Sequence, residues 1–257
     1  MEVGGALASW SAGLAKVSVF QDRQSMGGAA AGQIARRIAE VARTKASVRM
    51  IFAAAPSQTE MISSLLAHTD LPWESITAFH MDDYLELSAD APQRFANWLD
   101  LHLFSKVAMG AVHRIPTEGA PEEICADYAR LLSAAPIDIV CLGIGVNGHI
   151  AFNDPPVADF QDRELVKLVE LDETCRQQQV DDKCFARLGD VPRQAITLTI
   201  PQLCDAAALF CVVPGQHKRH AVKAALEGPV STACPASILR THPNCQIFLD
   251  KEASPDG

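Results

Sequence analysis

Ile137–Leu142 (IDIVCL) runs without a break into Gly143–Pro155 (GIGVNGHIAFNDP), and these nineteen residues decide how the chain folds. The first six read as a strand buried on both faces. Three glycines in the next six residues, Gly143, Gly145 and Gly148, let the backbone turn sharply and approach a small ligand closely. The turn delivers one imidazole, His149, among the polar neighbours Asn147, Asn153 and Asp154. A strand, a glycine turn and a cluster of proton-handling groups is how open α/β sheets build sites at their strand ends. An enzyme that moves protons on a small molecule is the implication.

Working outward, short β-branched runs alternate with longer helical stretches. Ser47–Ala53, Ser75–Met81, Ile137–Leu142, Leu165–Leu171, Ala195–Ile200 and Ala207–Val213 read as strands. Gly28–Arg43, Thr59–Ala67, Pro92–Leu103, Pro121–Ser133 and Gln216–Leu226 carry apolar residues at helical spacing. Pro92 and Pro121 fit first-turn positions. The alternation predicts an α/β fold: one domain over residues 1–257, with a mostly parallel open sheet and helices on both faces. The polar tail KEASPDG is expected to fray.

Composition narrows the classes. With 48% hydrophobic and 21% charged residues the chain has material for a large core. A net charge of −9, spread along the chain, argues against non-specific nucleic-acid binding. No run approaches the ~20 apolar residues of a membrane helix, and MEVGGALASWSAGLAKVSVF lacks the pattern of a secretory leader. Eight scattered cysteines without a C-x-x-C pair read as core thiols of a cytoplasmic protein. The histidines show no metal-ligand spacing with nearby acids. GIGVNG also spells G-x-G-x-x-G, but it runs on into HIAFNDPP rather than an apolar helix, which disfavours a dinucleotide.

Four other strand ends hold chemistry. Phe79–Tyr84 (FHMDDY) leads a strand into Asp82 and Asp83. Asp82 reads as a general base whose partial desolvation sharpens its basicity, whereas Asp83 reads rather as a turn cap. Ala53–Glu60 brings Ser57, Gln58 and Thr59 to a helix start, either an anion site or an ordinary N-cap. Val213–Lys218 places Lys218 after a strand, as a phosphate cation or a surface lysine. Leu171–Val180 sets Arg176 beside three glutamines, in a site or on a solvated helix.

Taken together, FHMDDY and GIGVNGHIAFNDP resemble the glucosamine-6-phosphate deaminase/isomerase family, and Pro235–His242 is similar to its C-terminal signature. The resemblance runs from about Gly28 to Phe248. It implies a Rossmann-like fold shared with 6-phosphogluconolactonases. It also implies conversion of an amino-sugar 6-phosphate and water to a ketose 6-phosphate and ammonia, without cofactor or metal. By resemblance Asp82 is the base that carries a proton between C2 and C1, and His149 opens the sugar ring. Asn147 and Asp154 stand where Asp and Glu usually orient that histidine, which puts the reach of Asp154 to His149 in question. Asp83 stands where Glu is usual. Ser57, Gln58, Thr59 and Lys218 match the phosphate set, with Gly145 and Gly148 in the turn. The family's phosphate arginine falls near Asp181, so Arg176 is the expected substitute, with Lys183 close by.

Three readings follow. The first is deamination with isomerisation of glucosamine-6-phosphate, or of its galacto epimer. Another is lactone hydrolysis, although lactonases usually continue the turn as G-H-x-A-S-L. The last is a non-catalytic sugar-phosphate sensor. The expected partner is a small amino-sugar phosphate, with neither nucleic acid nor membrane, and a homo-oligomer is left open.

Overall fold

The computed structural model describes residues 5–256; residues 1–4 of the segment read for a leader, and residue 257 of the tail, lie outside it. In chain order the strands are β1 (Ala8–Ala12), β2 (Ala15–Phe20), β3 (Val48–Phe52), β4 (Ile76–His80), β5 (Asp82–Tyr84), β6 (Ala111–His113), β7 (Ile139–Leu142), β8 (Val166–Glu170), β9 (Gln194–Leu198), β10 (Leu209–Val213) and β11 (Cys245–Asp250). The helices are α1 (Arg23–Ala42), α2 (Thr59–Leu66), α3 (Phe95–Leu99), α4 (Pro121–Ser133), α5 (Glu173–Asp181), α6 (Ile200–Cys204) and α7 (Arg219–Glu227).

Eight strands form one sheet in the order β1-β2-β11-β10-β7-β3-β4-β6. Every pairing in it is parallel except the β1–β2 hairpin. The central strands β7 (IVCL) and β10 (LFCVV) are buried at every residue, as continuous apolar runs require when helices cover both faces. On one face α1 presents Met26, Ala30, Ile34 and Ile38 at four-residue spacing, beside α2 and α3. On the other, Ile124, Tyr128 and Leu132 of α4 pack with Ala221, Val222 and Ala225 of α7. The chain builds β3, β4 and β6 outward in one direction. It then returns to lay β7 on the opposite side of β3 and continues through β10 and β11 the other way. The β3–β7 boundary is therefore the switch point of the sheet, where the carboxyl ends of neighbouring strands leave a crevice.

Two runs expected to join the parallel sheet do not. β8 and β9 pair antiparallel with each other, and β9 with β5, as a separate three-stranded sheet in the order β5-β9-β8. Apolar periodicity reports burial but not the partner strand, so it could not separate them. Ile200 opens α6 rather than ending β9, because Thr199 accepts the Gln202 amide as an N-cap. Tyr84, Phe95, Phe152 and Phe185 pack between this small sheet and its surroundings, with ring centroids 5.0–5.6 Å apart. Asp82 lies at the seam, two residues beyond the last residue of β4 and at the first residue of β5.

Pro121 does open α4, but Pro92 does not open a helix; α3 begins at Phe95. The reason is Asp83, whose two carboxylate oxygens accept the Phe95 and Ala96 amides at 3.0 and 3.2 Å and the Arg94 guanidinium at 2.9 Å. After Leu99 the coil continues as a wider π-type turn, Asp100–Phe104. The tail is also better ordered than its polarity suggests, since Asp250 accepts the Ala253 amide at 2.8 Å and both Ala253 and Ser254 are buried.

Asp83 and Arg94 form a buried ion pair. Arg94→Met should therefore cost about 3 kcal/mol in urea unfolding, because it leaves a buried carboxylate without its charge partner. A loss below about 1 kcal/mol would show that the helix amides alone suffice.

Candidate active site

A cleft opens at the switch point, walled by the segments that follow β3, β4, β7 and β10. Ala53–Ala55, Ser57 and Gln58 come from the β3 side, Asp82 from β4, Gly143–Gly145 and His149 from β7, and Lys218 from β10. Strands far apart in sequence thus meet at one point.

His149 is set by its own turn. Gly148 adopts φ +84°, and a Cβ there would come within 2.6 Å of Cys234 Sγ. A Cβ on Gly145 would lie 2.2 Å from the His149 ring, so glycine is required for the imidazole to rest on that backbone. Ala151, at φ +49°, is a non-glycine residue held in the left-handed region within the same turn.

Asp154 reaches the histidine after all. Its Oδ1 lies 2.8 Å from His149 Nδ1 and accepts from Asn147 Nδ2 at 2.9 Å. Asn147 in turn accepts the His149 amide at 3.1 Å, so its one side chain orients both the carboxylate and the histidine backbone. Burial pushes Asp154 upward, but its close contact with His149 and the hydrogen bond from Asn147 bring it below the ordinary carboxylate range. With Nδ1 facing Asp154, the other ring nitrogen, Nε2, is the one left to act on a ligand.

Asp82 differs from its neighbour. Asp83 carries the Arg94 and helix contacts described above, and it is the cap that the sequence suggested. The Asp82 carboxylate makes no side-chain hydrogen bond among the described residues and faces the cleft. Burial, then the charges of Asp83 and Asp154, raise it well above the ordinary carboxylate range. Behind it His80 is wholly buried, its Nε2 accepting the Ile115 amide at 2.8 Å. Nδ1 therefore carries the proton and donates to the Asp82 carbonyl at 2.9 Å, which holds the Asp82 backbone in place.

Lys218 forms the opposite pole. It is 4% exposed, lines the cleft and has no ion-pair partner among the described residues. Burial lowers it to about 8, against the opposing pull of Asp182 and Cys175. A buried, unpaired ammonium is costly unless a ligand brings the counter-charge. The turn before it is fixed by Asp250, which accepts the Gly215 amide at 2.9 Å. Ser57 also faces the cleft; Gln58 lines it, but its amide donates to Val212 O and Ser57 Oγ, both at 3.2 Å.

Two expected members fall outside. Thr59 begins α2 and is not among the residues lining the cleft. Arg176 is directed away: its guanidinium donates to the carbonyls of Leu188, Val191 and Pro192 at 2.8–3.3 Å and ties down that loop. The buried face of α5 consists of Cys175, Gln178 and Gln179, spaced i, i+3, i+4, and Arg176 lies off it. Gln178 and Gln179 line the cleft, and Gln178 accepts the Val146 amide at 2.9 Å. The run of glutamines was visible in the sequence; helical spacing would have singled out 178 and 179. Cys175 Sγ also lies within 4.8 Å of His149 and Asp154, a set of residue types that can hold a metal ion.

A carboxylate, an imidazole and a lone cation around a switch-point crevice belong to α/β enzymes that process small anionic molecules. Within that class the chain belongs to the family described as glucosamine-6-phosphate isomerases/6-phosphogluconolactonase, whose sequence pattern matches residues 21–247. It is 34% identical over 221 residues to a glucosamine-6-phosphate deaminase of Listeria innocua, covering 86% of this chain and 92% of that one. The deaminase of Lactobacillus delbrueckii is 30% identical over 93% of this chain and 98% of its own. Among solved structures, a monomeric glucosamine-6-phosphate deaminase superimposes with a TM-score of 0.84 at 27% identity, over 92% of this chain and 98% of that one. A 6-phosphogluconolactonase from Thermotoga maritima gives 0.75 at 20% identity, over 91% and 99%, a likeness of fold alone.

The cleft should bind sulfate, whose charge stays constant from about pH 6 to about pH 10. Because only protonated Lys218 attracts it, affinity measured by calorimetry should fall as pH rises through about 8. Lys218→Met should weaken binding tenfold or more and flatten that pH dependence. Arg176→Ala should leave sulfate affinity unchanged while lowering stability by about 1–3 kcal/mol, as buried carbonyls lose their donor.

Proposed function

We propose that the chain is an isomerising deaminase of an amino-sugar 6-phosphate, with glucosamine-6-phosphate as substrate and fructose-6-phosphate and ammonia as products. The observation that carries this is the convergence in one cleft of an unpartnered carboxylate, Asp82, an imidazole oriented from behind, His149, and an unpaired cation, Lys218. The names of the relatives, at 30–34% identity over most of the chain, support the same substrate.

In this scheme the phosphate lies against Lys218 and Ser57. The Nε2 of His149 moves a proton between the ring oxygen and the anomeric hydroxyl, and the sugar opens to its aldehyde. Asp82 takes the C2 proton, leaving an enolamine, and returns it to C1. One carboxylate oxygen can serve both carbons because they are adjacent. The resulting C2 imine adds water and expels ammonia, leaving the ketose. Electrons and atoms balance without a redox partner, and every residue used comes from one chain. Asp82 is suited to the task because burial makes it a stronger base than an exposed aspartate. A cytoplasmic location goes with this reading, in keeping with cysteines that are all free among the described residues. Among the described residues, no helix is long and apolar enough to cross a membrane.

The first test is equimolar release of ammonia and fructose-6-phosphate from glucosamine-6-phosphate. Release from galactosamine-6-phosphate alone would reassign the epimer, and hydrolysis of 6-phosphogluconolactone alone would sink the deaminase reading. Asp82→Asn should lower turnover about 10³-fold or more and abolish solvent-hydrogen exchange at C2 while substrate still binds; retained exchange would remove Asp82 as the base. Gly145→Ala, by displacing the imidazole, should cost about 10²-fold in turnover without unfolding the protein.

The pH profile follows from the two poles. Asp82 must be ionised, and its pKa is raised, so activity should fall on the acid side at a pH above that of an ordinary aspartate. Lys218 must be protonated, so kcat/KM should also fall as pH rises through about 8. An acid limb in the ordinary carboxylate range would count against a desolvated base.

A further inference from the structure

The three consecutive glutamines of α5 stand in different surroundings. Gln177 is exposed and donates to Asp181 Oδ1 at 2.9 Å. Gln178 is held by the protein at both ends of its carboxamide: Oε1 accepts the Val146 amide at 2.9 Å, and Nε2 donates to Asp182 at 3.1 Å. Gln179 is as buried as Gln178, at 8% exposed, yet its side chain makes no hydrogen bond among the described residues. Both line the cleft with Asp82, His149, Ser57 and Lys218. Gln179 also faces an adjoining cavity of about 300 Å³, whose other walls include Pro92, Phe95 and Trp98. A carboxamide so far removed from water is costly to leave without a partner, and the chain supplies none.

Its place along α5 says which part of a ligand it meets. Near the start of the helix, Cys175 lies within 4.8 Å of His149. Toward the end, Gln179 and Asp182 share the adjoining cavity with Ala54, Ala55 and Pro56, the residues that lead into Ser57. Positions 175 and 179 are a little over one turn apart, about 6 Å along the axis. Gln179 therefore stands past the imidazole on the way to the Ser57 wall, beside the middle of a molecule that spans the two.

We propose that Gln179 is a specificity-determining residue, its carboxamide binding the C4 hydroxyl of the sugar phosphate. This rests on the deaminase reading in placing C1 and C2 at His149 and Asp82 and the phosphate at Lys218 and Ser57. Between those poles the closed sugar carries free hydroxyls only on C3 and C4, and C4 is the one further from the reacting end. A carboxamide both donates and accepts, as a hydroxyl does, so the two pair well where water is largely excluded. Inverting C4 turns its hydroxyl out of line and leaves the carboxamide again without a partner. A site of that kind discriminates by the loss of the pair. Gln179 thus sets the accepted epimer, whereas Lys218 and Asp82 meet groups that both epimers share.

Two unreactive ligands test this. The 6-phosphates of 1,5-anhydroglucitol and 1,5-anhydrogalactitol are closed rings without an anomeric hydroxyl, and they differ only at C4. By calorimetry the wild type should bind one about tenfold more tightly than the other. Gln179→Met is close in size and takes no hydrogen bond from the fold. It should bring the two affinities within about twofold by weakening the preferred ring, with sulfate affinity also within about twofold of the wild type. Gln178→Met should keep the preference while lowering the thermal midpoint by a few degrees, because it removes the bonds to Val146 and Asp182. Equal affinity of the wild type for the two rings, or an undiminished preference in Gln179→Met, would overturn the proposal. Parallel losses for both rings and for sulfate in that variant would also overturn it, since Gln179 would then support the cleft without reading the ligand. Neither ring is turned over, so the outcome is separate from the ammonia assay, whose failure would strike the deaminase reading instead.

Discussion

Three aspartates, Asp82, Asp83 and Asp154, are buried, with Asp83 and Asp154 both within interacting distance of Asp82, and the fold must accommodate their negative charge. Like charges this close in low dielectric disfavour the ionised form of Asp82, and the surroundings of the three carboxylates differ. Asp83 is met by a guanidinium and the first amides of a helix. Asp154 is met by an imidazole and a carboxamide. Asp82 is met by neither, and it alone faces the cleft with its charge uncompensated. Its basicity comes first from burial and then from the charges beside it, so the ion pair that starts α3 is part of the same electrostatic arrangement. Rigidity comes from the backbone side, where His80 holds the Asp82 carbonyl without touching the carboxylate.

The opposite pole obeys the same rule with the sign reversed. Lys218 is buried without a counter-ion among the described residues, and Asp250 holds the turn in front of it by accepting the Gly215 amide. An anion entering between Lys218 and Ser57 would restore charge balance there. A substrate ammonium near Asp82 would do the same at the other wall. One molecule carrying a phosphate at one end and an amine at the other therefore relieves two desolvation costs at once, whereas a fragment carrying either group relieves only one. This asymmetry selects for a doubly functional ligand before any hydroxyl is inspected.

Much of this was legible in the chain. The apolar runs at Ile137–Leu142 and Ala207–Val213 are central strands because only burial on both faces makes such runs tolerable. Asp82, His149 and Lys218 line one cleft because each follows a strand into a turn, although for Lys218 the residues alone pointed rather to a surface lysine and the resemblance singled it out. What stayed hidden depended on direction and partnership. The β1–β2 hairpin, built from Ala, Ser, Trp, Lys, Val and Phe, carries too weak an alternation to stand out. Arg94 is one charge in a polar turn, and nothing local says that it is buried against Asp83. Arg176 shows the converse error: a cation at a suitable distance along the chain points away, because adjacent positions on a helix are turned about 100° from each other. The strands β8 and β9 were seen, but not that they leave the main sheet.

Asn147 gains a physical reason from these charges. By the resemblance drawn from the sequence, this position matches an Asp and that of Asp154 a Glu, which would make a more acidic surrounding for the histidine. Here Asp154 by itself already adds to the upward pull on Asp82. A second ionised carboxylate at 147 would strengthen that pull and hold the proposed base protonated to higher pH. Asparagine keeps the geometry, since its amide donates to Asp154 and its oxygen accepts the His149 backbone, and it adds no charge. Asp154 reaches His149 Nδ1 at 2.8 Å, so an aspartate is long enough for this contact. Asn147 and Asp154 thus act together: one carboxylate faces the imidazole, and the electrostatic load on Asp82 is kept to what its neighbours already impose.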